Sequence, residues 1–418
     1  MKVLWITNIL FPEAISILSN NDGELKSSGG WILGAAESLL KNKEICLCIA
    51  TVSPLVKSLT KIDGKRCQYY ILPQIKFNED KMYRELWQRV NAEFKADVVH
   101  IHGTETRYGN DFIKATNNKN IAVSIQGLLS SYYRYYYADI PFSEILKSIT
   151  LRDILRGTLI SSKRSFRIGG IKETDTLKRV NHIIGRTSWD RALTNSINPA
   201  AQYHHCDETL RDEFYTGETW NYDKCIKHSI FVSQATYPLK GIHQLLKAMP
   251  IILRNFPDTQ IRVAGKDITI ANTWKQRLLL TGYGNYLRKL IKKLNLENHI
   301  TFTGNLNAYE MKQEYLNSNV FVCPSSIENS PNSLGEAQIL GVPCIASYVG
   351  GVMDMMKGNE VNLYRFEEYE MLAEKICTVF TNKANNVSMQ AEASKRHDKN
   401  NNSNTLYEIY KHINTNNL

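Results

Sequence analysis

Short apolar runs alternate with amphipathic segments along the whole chain. Runs rich in β-branched residues are typical of buried parallel strands, and apolar residues at helical spacing are typical of helices. The pattern predicts strands at 2–7, 44–52, 68–72, 96–103, 121–125, 180–185, 229–232, 260–264, 300–303, 320–323 and 342–346. It predicts helices at 31–40, 80–94, 286–294, 308–317, 332–340, 369–381 and 406–413, with a further helix opening at Lys240-Gly241.

Two successive sets of alternating strands and helices indicate two α/β domains with parallel sheets. The chain has 418 residues, which agrees with a domain count of about two or three. We place the first domain at 1–222 and the second at 223–390. Because ligands bind beyond the carboxyl ends of parallel strands, we expect the functional site there, in the cleft between the domains.

One stretch, residues 320–351, reads as a complete strand–loop–helix–strand unit. Ser330 followed by Pro331 is a helix-start signal, a hydroxyl to cap the helix and a proline at its first position. Gly341 ends the helix with a residue suited to a left-handed cap. The exposed backbone N–H groups and the positive dipole end at the helix start can bind a phosphate group. We call this binding position the phosphate seat.

Two carboxylates accompany this phosphate seat, Glu328 in the loop and Glu336 on the helix. Ionised carboxylates repel phosphate but accept hydrogen bonds from hydroxyls. A phosphate seat beside hydroxyl acceptors describes a nucleotide-sugar site. The plain alternative is a pair of solvated glutamates near an ordinary loop.

The ordered residues of this unit resemble the donor-binding signature of retaining GT-B glycosyltransferases of family four, the group 1 glycosyl transferases. The residues that carry the resemblance are Glu328, Glu336, Ala337, Gly341, Pro343, Gly350 and Gly351. It is strong over 229–356 and looser over 1–200. The resemblance implies two Rossmann-like domains whose parallel sheets face across a cleft, with a last helix, about 391–418, that packs back on the first domain.

The resemblance also implies roles. Glu336 would hold the ribose hydroxyls and Glu328 the donor hexose, while Lys240 would stabilise the diphosphate as charge builds on the leaving group. Backbone positions implied near the diphosphate are Gly29, Gly30, Asn332, Ser333 and Leu334. For the first two, a flexible turn is the competing interpretation. The family chemistry requires no metal and no cofactor beyond the donor.

The chain departs from the family at two places. Gln126 stands near the strand end where many members carry a histidine that faces the reacting sugar, and glutamine cannot transfer a proton. Ser233-Gln234 replaces the usual Gly-Arg pair, so one phosphate-binding cation is missing there. Either another basic residue substitutes, with Lys266 as the candidate, or donor binding is weaker.

His100 and His102 alternate along one predicted strand and therefore point to one face, where a metal pair has to be considered. No third ligand follows at suitable spacing, which disfavours a metal. In the family that the chain resembles this strand approaches the cleft between the domains, and that resemblance favours a structural or acceptor-side role for His102. The eight cysteines show no zinc spacing, and the Gly-x-Gly at 282–284 follows no strand. We therefore predict no metal site and no dinucleotide site.

The net charge of +10 and pI near 9.0 indicate an acidic partner. Residues 130–170 combine a tyrosine cluster with arginines, lysines and apolar positions. This pattern suits an anionic membrane surface, and a solvated basic face or a nucleic-acid contact are the alternatives. No apolar run reaches the roughly 18–20 residues of a membrane span, and the N-terminus lacks a cleavage site. The sequence predicts a cytoplasmic protein or one held on the inner face of a membrane.

Together these features predict a retaining glycosyltransferase. It would move a sugar from a nucleotide-diphosphate donor to a saccharide or lipid-linked saccharide in surface polysaccharide synthesis, without binding nucleic acid. A sugar-nucleotide epimerase of the same fold and a non-catalytic sugar-nucleotide-binding protein are the alternatives.

Overall fold

The computed structural model describes residues 1–19, 30–75, 80–382 and 386–415. The chain divides into two compact units. The first unit contains Met1–Ser130, Ile168–Leu210 and His397–Leu418, and the second contains Ser131–Arg167 and Arg211–Arg396. The predicted ranges differ from this division mainly at 131–167, which was placed with the first domain and belongs here to the second unit.

The strands of both units lie close to the predicted runs. They are β1 (Lys2–Ile6), β2 (Cys46–Ser53), β3 (Thr60–Asp63), β4 (Gln68–Pro73), β5 (Val98–His102), β6 (Ile121–Ser124), β7 (His182–Gly185), β8 (Gln202–His205), β9 (Ser229–Val232), β10 (Gln260–Val263), β11 (Ile300–Phe302), β12 (Val320–Cys323), β13 (Cys344–Ser347) and β14 (Leu363–Tyr364). Sequence analysis missed β3, β8 and β14. Both β3 and β8 are polar edge strands, which lack the apolar run that a buried strand shows.

The described part of each unit holds one sheet. In the first unit the order is β3-β4-β2-β1-β5-β6-β7-β8, parallel except for the antiparallel pair β3 and β4. In the second unit the order is β11-β10-β9-β12-β13-β14, with parallel pairing throughout. The prediction of two α/β units with mainly parallel sheets is confirmed.

Helices connect and flank these strands. They are α1 (Pro12–Ser19), α2 (Gly30–Leu39), α3 (Asp80–Phe94), α4 (Tyr108–Ala115), α5 (Leu129–Tyr132), α6 (Phe142–Lys147), α7 (Leu151–Arg156), α8 (Leu159–Leu177), α9 (Ser188–Ile197), α10 (Ile242–Asn255), α11 (Trp274–Leu279), α12 (Gly282–Lys293), α13 (Ala308–Asn317), α14 (Asn332–Ile339), α15 (Val352–Met355), α16 (Tyr369–Thr381), α17 (Val387–Arg396) and α18 (Lys399–Thr415). Four short 3-10 turns complete the described elements: Tyr133–Tyr135, Asp212–Phe214, Pro238–Lys240 and Glu360–Asn362.

The sheet of the first unit is covered on both faces. One face packs against α2 and the C-terminal helix α18, and the other packs against α3 and α4. The indole Nε1 of Trp5 on β1 donates to the Tyr410 hydroxyl on α18 at 2.9 Å. The last helix thus completes the core of the first unit, because its apolar residues fill one side of that sheet.

The segment 131–167 is built into the second unit. Ile140 and Ile145 are buried in the core that also contains α10 and α12. Beyond this apolar contact, the Asn285 side chain donates to the Ser148 carbonyl at 3.1 Å, and the Thr150 hydroxyl donates to the Leu280 carbonyl at 2.7 Å. The segment is therefore an integral layer of the second unit.

His243 on α10 fixes the start of this segment. The ring is fully buried, with Nε2 2.7 Å from the Ala138 carbonyl and Nδ1 3.1 Å from the Tyr283 hydroxyl. Since a carbonyl only accepts, Nε2 carries the proton and Nδ1 accepts from the tyrosine. Burial, together with the nearby Lys247 charge, lowers the pKa of His243 to about 3.

We expect His243 to make the protein less stable in mild acid. Below an unfolded-state pKa of about 6.5 the unfolded chain binds a proton on His243, whereas the folded chain does not. The free energy of unfolding therefore decreases as the pH decreases. Between about pH 7.5 and about pH 5.5 the wild type should lose about 1.4 kcal/mol more than His243→Gln. Urea unfolding curves at the two pH values measure this difference, and equal losses in both proteins would contradict the assignment.

Candidate functional site

Two side chains predicted to act on the donor meet beyond the carboxyl ends of β9 and β12. Lys240 Nζ lies 2.6 Å from Glu328 Oε1, and the Ser325 hydroxyl donates to the same oxygen at 2.8 Å. Glu328 is buried and Lys240 is partly buried. Among the described residues both contacts go to Oε1, so Oε2 can accept from a ligand hydroxyl.

Two glycines allow neighbouring loops to press against the Glu328 loop. Gly241 has φ +67°, and an added Cβ there would lie 1.6 Å from the Pro324 carbonyl oxygen. Gly350 has φ +51°, and its Cβ would lie 1.9 Å from the Glu328 carbonyl oxygen, to which Gly351 N donates at 3.0 Å. These positions require glycine because a side chain would collide with the backbone.

The charge of Lys240 survives burial because of its partner. Burial alone disfavours the ammonium form, but the charge and hydrogen bond of Glu328, with a contribution from Tyr237, outweigh it and raise the pKa of Lys240. The lysine is therefore cationic at neutral pH. It is a fixed point charge of the kind that binds a diphosphate.

Glu336 is held by an arginine that sequence analysis missed. Arg211 Nε and Nη2 donate to its two carboxylate oxygens at 2.7 and 2.8 Å, and the Tyr315 hydroxyl lies 3.4 Å from Oε2. Burial raises the pKa of Glu336, and the arginine opposes that rise. Arg211 lies near the end of the predicted first domain and carries no local motif, so only the fold reveals its contact with Glu336.

The start of α14 differs from the prediction in one detail. Pro331, not Ser330, is the N-cap residue, and no side chain caps the helix. Asn332, Ser333 and Leu334 form its first turn, as expected. Leu334 N donates to the Pro331 carbonyl at 2.9 Å, so the N–H groups of Asn332 and Ser333 are the ones at this helix start that an anion would meet. The predicted left-handed glycine after the helix is confirmed, since Gly341 has φ +80°.

Lys266 and Gln234, the residue that stands in place of the family's arginine, follow neighbouring strands at the same edge of the sheet. Lys266 is exposed and follows Gly265, whose φ of +108° turns the chain at the end of β10. Gln234 follows the neighbouring strand β9, and its amide donates to the Thr236 hydroxyl at 3.2 Å. Lys266 thus remains the proposed replacement for the cation that Gln234 does not provide.

The first unit gathers polar groups at the ends of β5 and β6. The rings of His100 and His102 lie on one face of β5 with centroids 3.8 Å apart. His100 binds the hydroxyls of Tyr410 and Ser124, whereas His102 packs on Trp5 with centroids 4.3 Å apart. Burial lowers the pKa of both histidines, so both are neutral at pH 7.

His102 and Gln126 each present an unmatched polar atom. Nε2 of His102 and Nε2 of Gln126 are buried without a hydrogen-bond partner among the described residues. Buried polar atoms are rarely left unpaired, and a ligand or water is the usual explanation. This observation agrees with the predicted acceptor-side role of the two residues.

Glu105 joins this group and was missed by sequence analysis. Its Oε1 accepts from Gly127 N at 3.0 Å, and an added Cβ on Gly103 would lie 2.3 Å from its Oε2. Glu105 is exposed as a residue, but the protein around the carboxyl group desolvates it and raises its pKa to about 6. It lies three positions after His102, and this closeness in sequence was the only available signal.

The predicted diphosphate loop can be followed only in part. Gly29 lies outside the described residues, and Gly30 is the partly exposed first residue of α2. Within the described ranges, no cluster of three or more His, Cys, Asp or Glu side chains is arranged to hold a metal ion. None of the described helices has both the length and the apolar character needed to cross a bilayer.

Known proteins resemble this chain in sequence and in fold. The family model for glycosyl transferases group 1 matches residues 226–397. An uncharacterized glycosyltransferase of Methanocaldococcus jannaschii is 32% identical over 139 residues, which cover 32% of this chain and 30% of that relative. The chain thus matches less than a third of the relative's length.

Two solved structures superpose along nearly the whole chain. Sucrose-phosphate synthase from Thermosynechococcus elongatus has a TM-score of 0.66 at 16% identity, covering 99% of both chains. A trehalose-6-phosphate structure from E. coli, bound with UDP-2-fluoro glucose, has a TM-score of 0.61 at 10% identity, again covering 99% of both chains. The predicted GT-B fold and group 1 resemblance are confirmed.

We expect Arg211→Met to destabilise the second unit strongly. It leaves the buried Glu336 carboxylate without its charge partner, which costs roughly 3–5 kcal/mol. The folded pKa of Glu336 should then rise further, so the deficit should grow as pH increases from acid toward neutral. Urea unfolding of this variant measures both effects.

Two variants serve as controls for this test. The double variant Arg211→Met/Glu336→Gln should regain most of the loss, because it removes the unpaired charge. Arg254→Met, an exposed arginine on α10, should change stability by less than about 0.5 kcal/mol. A double variant as unstable as Arg211→Met alone would show that the arginine acts through packing.

Proposed function

Because residues 226–397 belong to the glycosyl transferases group 1 family and the chain has the GT-B fold, we propose that this protein is a retaining glycosyltransferase. It transfers a sugar from a nucleotide-diphosphate donor to a saccharide hydroxyl. The observation that carries the proposal is the Lys240–Glu328 pair in the loops that the family signature assigns to the donor. It provides a fixed cation and a hydroxyl acceptor side by side.

The donor diphosphate interacts with Lys240 and with the first turn of α14. Negative charge grows on the leaving phosphate as the bond to the sugar breaks. A preorganised ammonium and backbone N–H groups stabilise that charge without rearranging. In this mechanism the positive charge comes from the chain itself, so transfer proceeds without a metal ion.

Glu328 and Glu336 bind the two sugars of the donor. The free Oε2 of Glu328 accepts from hexose hydroxyls while Oε1 keeps Lys240 in place. Glu336 accepts from the ribose hydroxyls. An ionised carboxylate offers about four lone-pair sites, so the two Arg211 contacts leave room for a ribose.

Retention of the anomeric configuration follows from the family signature. Glu328 is engaged by a lysine, which suits a binding role better than attack on the sugar. The acceptor hydroxyl therefore approaches the face that the phosphate leaves. The departing phosphate oxygen takes the proton of that hydroxyl as the new bond forms, so no protein nucleophile enters the reaction.

Polar groups of the first unit bind the acceptor. His102 and Gln126 each offer a buried nitrogen with no partner among the described residues, and Glu105 is a carboxylate beside them. Neutral histidine, amide and carboxylate groups match sugar hydroxyls. We place a saccharide acceptor here, carried on a lipid in surface polysaccharide synthesis at the cytoplasmic face of a membrane. The basic and aromatic segment 131–167 supports the lipid carrier.

A non-catalytic sugar-nucleotide-binding protein is the second candidate. Gln126 and Gln234 stand where the family usually has a histidine and an arginine, and both substitutions remove chemistry but keep hydrogen bonding. A protein of this kind would bind a donor without breaking it. A sugar-nucleotide epimerase would instead convert the donor to an isomer.

Donor turnover tests the proposal directly. We would incubate the protein with a panel of nucleotide sugars and follow hydrolysis in the absence of acceptor. One donor should be hydrolysed slowly, and Glu328→Gln should reduce that rate by about 10²-fold while nucleotide affinity changes little. Glu367→Gln, an exposed glutamate on the same unit, is the control and should match the wild type.

Each other outcome of the donor panel decides against transfer. Binding without turnover by any donor–acceptor pair would identify the non-catalytic protein. An isomeric sugar nucleotide would identify the epimerase. If the folded protein bound no nucleotide sugar, the assignment of a donor-binding site would be wrong.

Glu105 generates a separate prediction for the acceptor. With a pKa near 6, its carboxyl is ionised above about that pH and accepts from the acceptor hydroxyl. Glu105→Gln should raise the acceptor KM several-fold with a smaller change in kcat, and the rise of kcat/KM through about pH 6 should disappear. Glu85→Gln on α3 is the exposed control, and an unchanged pH profile in Glu105→Gln would contradict the role.

A further inference from the structure

A set of large apolar side chains is exposed on two neighbouring short helices of the second unit. They are Leu151, Ile154 and Leu155 on α7 and Trp274, Leu278 and Leu279 on α11. Their exposed fractions range from 46% for Leu278 to 83% for Leu155. We call them the α7–α11 surface. Clusters of exposed large apolar residues usually mark an interaction site, whereas single ones need no explanation.

The spacing within each helix aligns these residues. Leu151, Ile154 and Leu155 follow the i, i+3, i+4 pattern that puts side chains on one helix face. Trp274 and Leu278 are four residues apart and share a face of α11, with Leu279 beside them. Since α7 and α11 contact each other, the two apolar faces are neighbours.

The surface is rigidly mounted. Capping boxes close the starts of both helices, between Thr150 and Asp153 and between Thr273 and Gln276. The Thr150 hydroxyl also donates to the Leu280 carbonyl at 2.7 Å, which ties the beginning of α7 to the end of α11. The apolar side chains are thus presented by two well-ordered helices, so fraying does not explain their exposure.

The charge around these helices is mainly positive, and the acid that immediately precedes the first segment, Glu144, is paired with Lys147 at 3.0 Å. Residues 145–168 contain Lys147, Arg152, Arg156, Lys163, Arg164 and Arg167 against a single acid, Asp153, whose side chain is buried. Residues 268–296 contain Lys275, Arg277, Arg288, Lys289, Lys292 and Lys293 and no acid. Arg156, Lys275 and Arg277 are themselves exposed next to the apolar side chains. A partner that complements the α7–α11 surface must offer an apolar region to the leucines, the isoleucine and the tryptophan, and negative charge to the basic residues around them.

We propose that the α7–α11 surface docks the protein on an anionic lipid bilayer. The leucines and isoleucine enter the boundary between headgroups and acyl chains, and Trp274 sits at the headgroup level. The surrounding arginines and lysines interact with acidic headgroups. This inference rests on the proposed function, in which the acceptor is linked to a lipid. Docking on the bilayer would bring the enzyme to that acceptor.

The composition of the surface distinguishes a membrane from other partners. Single-stranded nucleic acid is bound by several aromatic rings on which bases stack, and the α7–α11 surface has one ring among aliphatic side chains. A second copy of the chain would bring the same positive charge to the same place, and like charges oppose that association. An anionic bilayer satisfies both the apolar face and the basic rim.

Sedimentation with lipid vesicles tests the docking. The full chain is mixed with sucrose-loaded vesicles of neutral phosphatidylcholine or with vesicles that contain about 30% phosphatidylglycerol. The wild type should bind the anionic vesicles at least tenfold more tightly than the neutral ones, and about 0.5 M salt should reduce this binding. Leu155→Ser/Trp274→Ser and, separately, Arg156→Glu/Lys275→Glu should each lower binding to anionic vesicles at least tenfold.

A matched control keeps general surface effects apart. Val361→Ser/Tyr309→Ser changes an exposed aliphatic and an exposed aromatic residue elsewhere on the second unit, at 77% and 65% exposure. This variant should bind like the wild type. Circular dichroism of every variant verifies folding, and substitutions at exposed positions should leave it unchanged.

Three results would overturn the proposal. One is wild-type protein that binds neither kind of vesicle. Another is Leu155→Ser/Trp274→Ser protein that binds anionic vesicles as the wild type does. The third is a dimer in solution that this variant dissociates, without vesicle binding, which would assign the surface to a second copy. The vesicle assay contains no nucleotide sugar, so its failure is separate from failure of donor turnover.

Discussion

A lysine that must remain charged inside a partly buried loop cluster is the constraint around which the second unit is arranged. Burial disfavours the Lys240 ammonium, and the Glu328 carboxylate reverses this effect through a 2.6 Å contact. Such a contact requires the loops after two neighbouring strands to meet closely. Glycine at 241 and at 350 permits that approach, since any side chain at either position would strike a backbone carbonyl. The glycines are therefore requirements of the ion pair.

The same site contains a second buried carboxylate with a different solution. Glu336 does not pair with a lysine as Glu328 does. Its two oxygens are held by Arg211 in a bidentate pair. A bidentate arginine fixes the plane of a carboxylate as well as its charge. One carboxylate thus fixes a cation, and the other is itself fixed in orientation by a cation. The two glutamates of the signature are therefore held in place by different charge partners.

Sequence alone predicts the parts of this structure whose determinants are local. The apolar runs at 229–232 and 320–323 coincide with strands, and the helix at 308–317 has its predicted bounds, because burial period and caps lie within each segment. The Ser330 cap was wrong by one position, since Pro331 itself takes the N-cap. Lys240 and Glu328 were found through a motif, but nothing local shows that they touch.

Contacts between distant segments mark the limit of sequence reasoning. Arg211 reaches Glu336 across 125 positions, and Glu105 gains its environment from the Gln126 strand end. The segment 131–167 was read as an extension of the first domain because it follows β6 in the chain. Its side chains nevertheless fill the core of the second unit, where Ile140 and Ile145 are buried.

That placement changes what the basic segment means. If segment 131–167 were an exposed loop of the first unit, its tyrosines and arginines could form a solvated face. Its buried half instead packs within the second unit, with His243 bonded to Ala138 and Ser148 bonded to Asn285. The outer residues of α7, together with those of α11, are exposed and can contact an external partner. The second unit, which contains the Lys240–Glu328 pair, therefore also presents the apolar and basic surface, and contact with a lipid layer would act on the same core that positions Lys240.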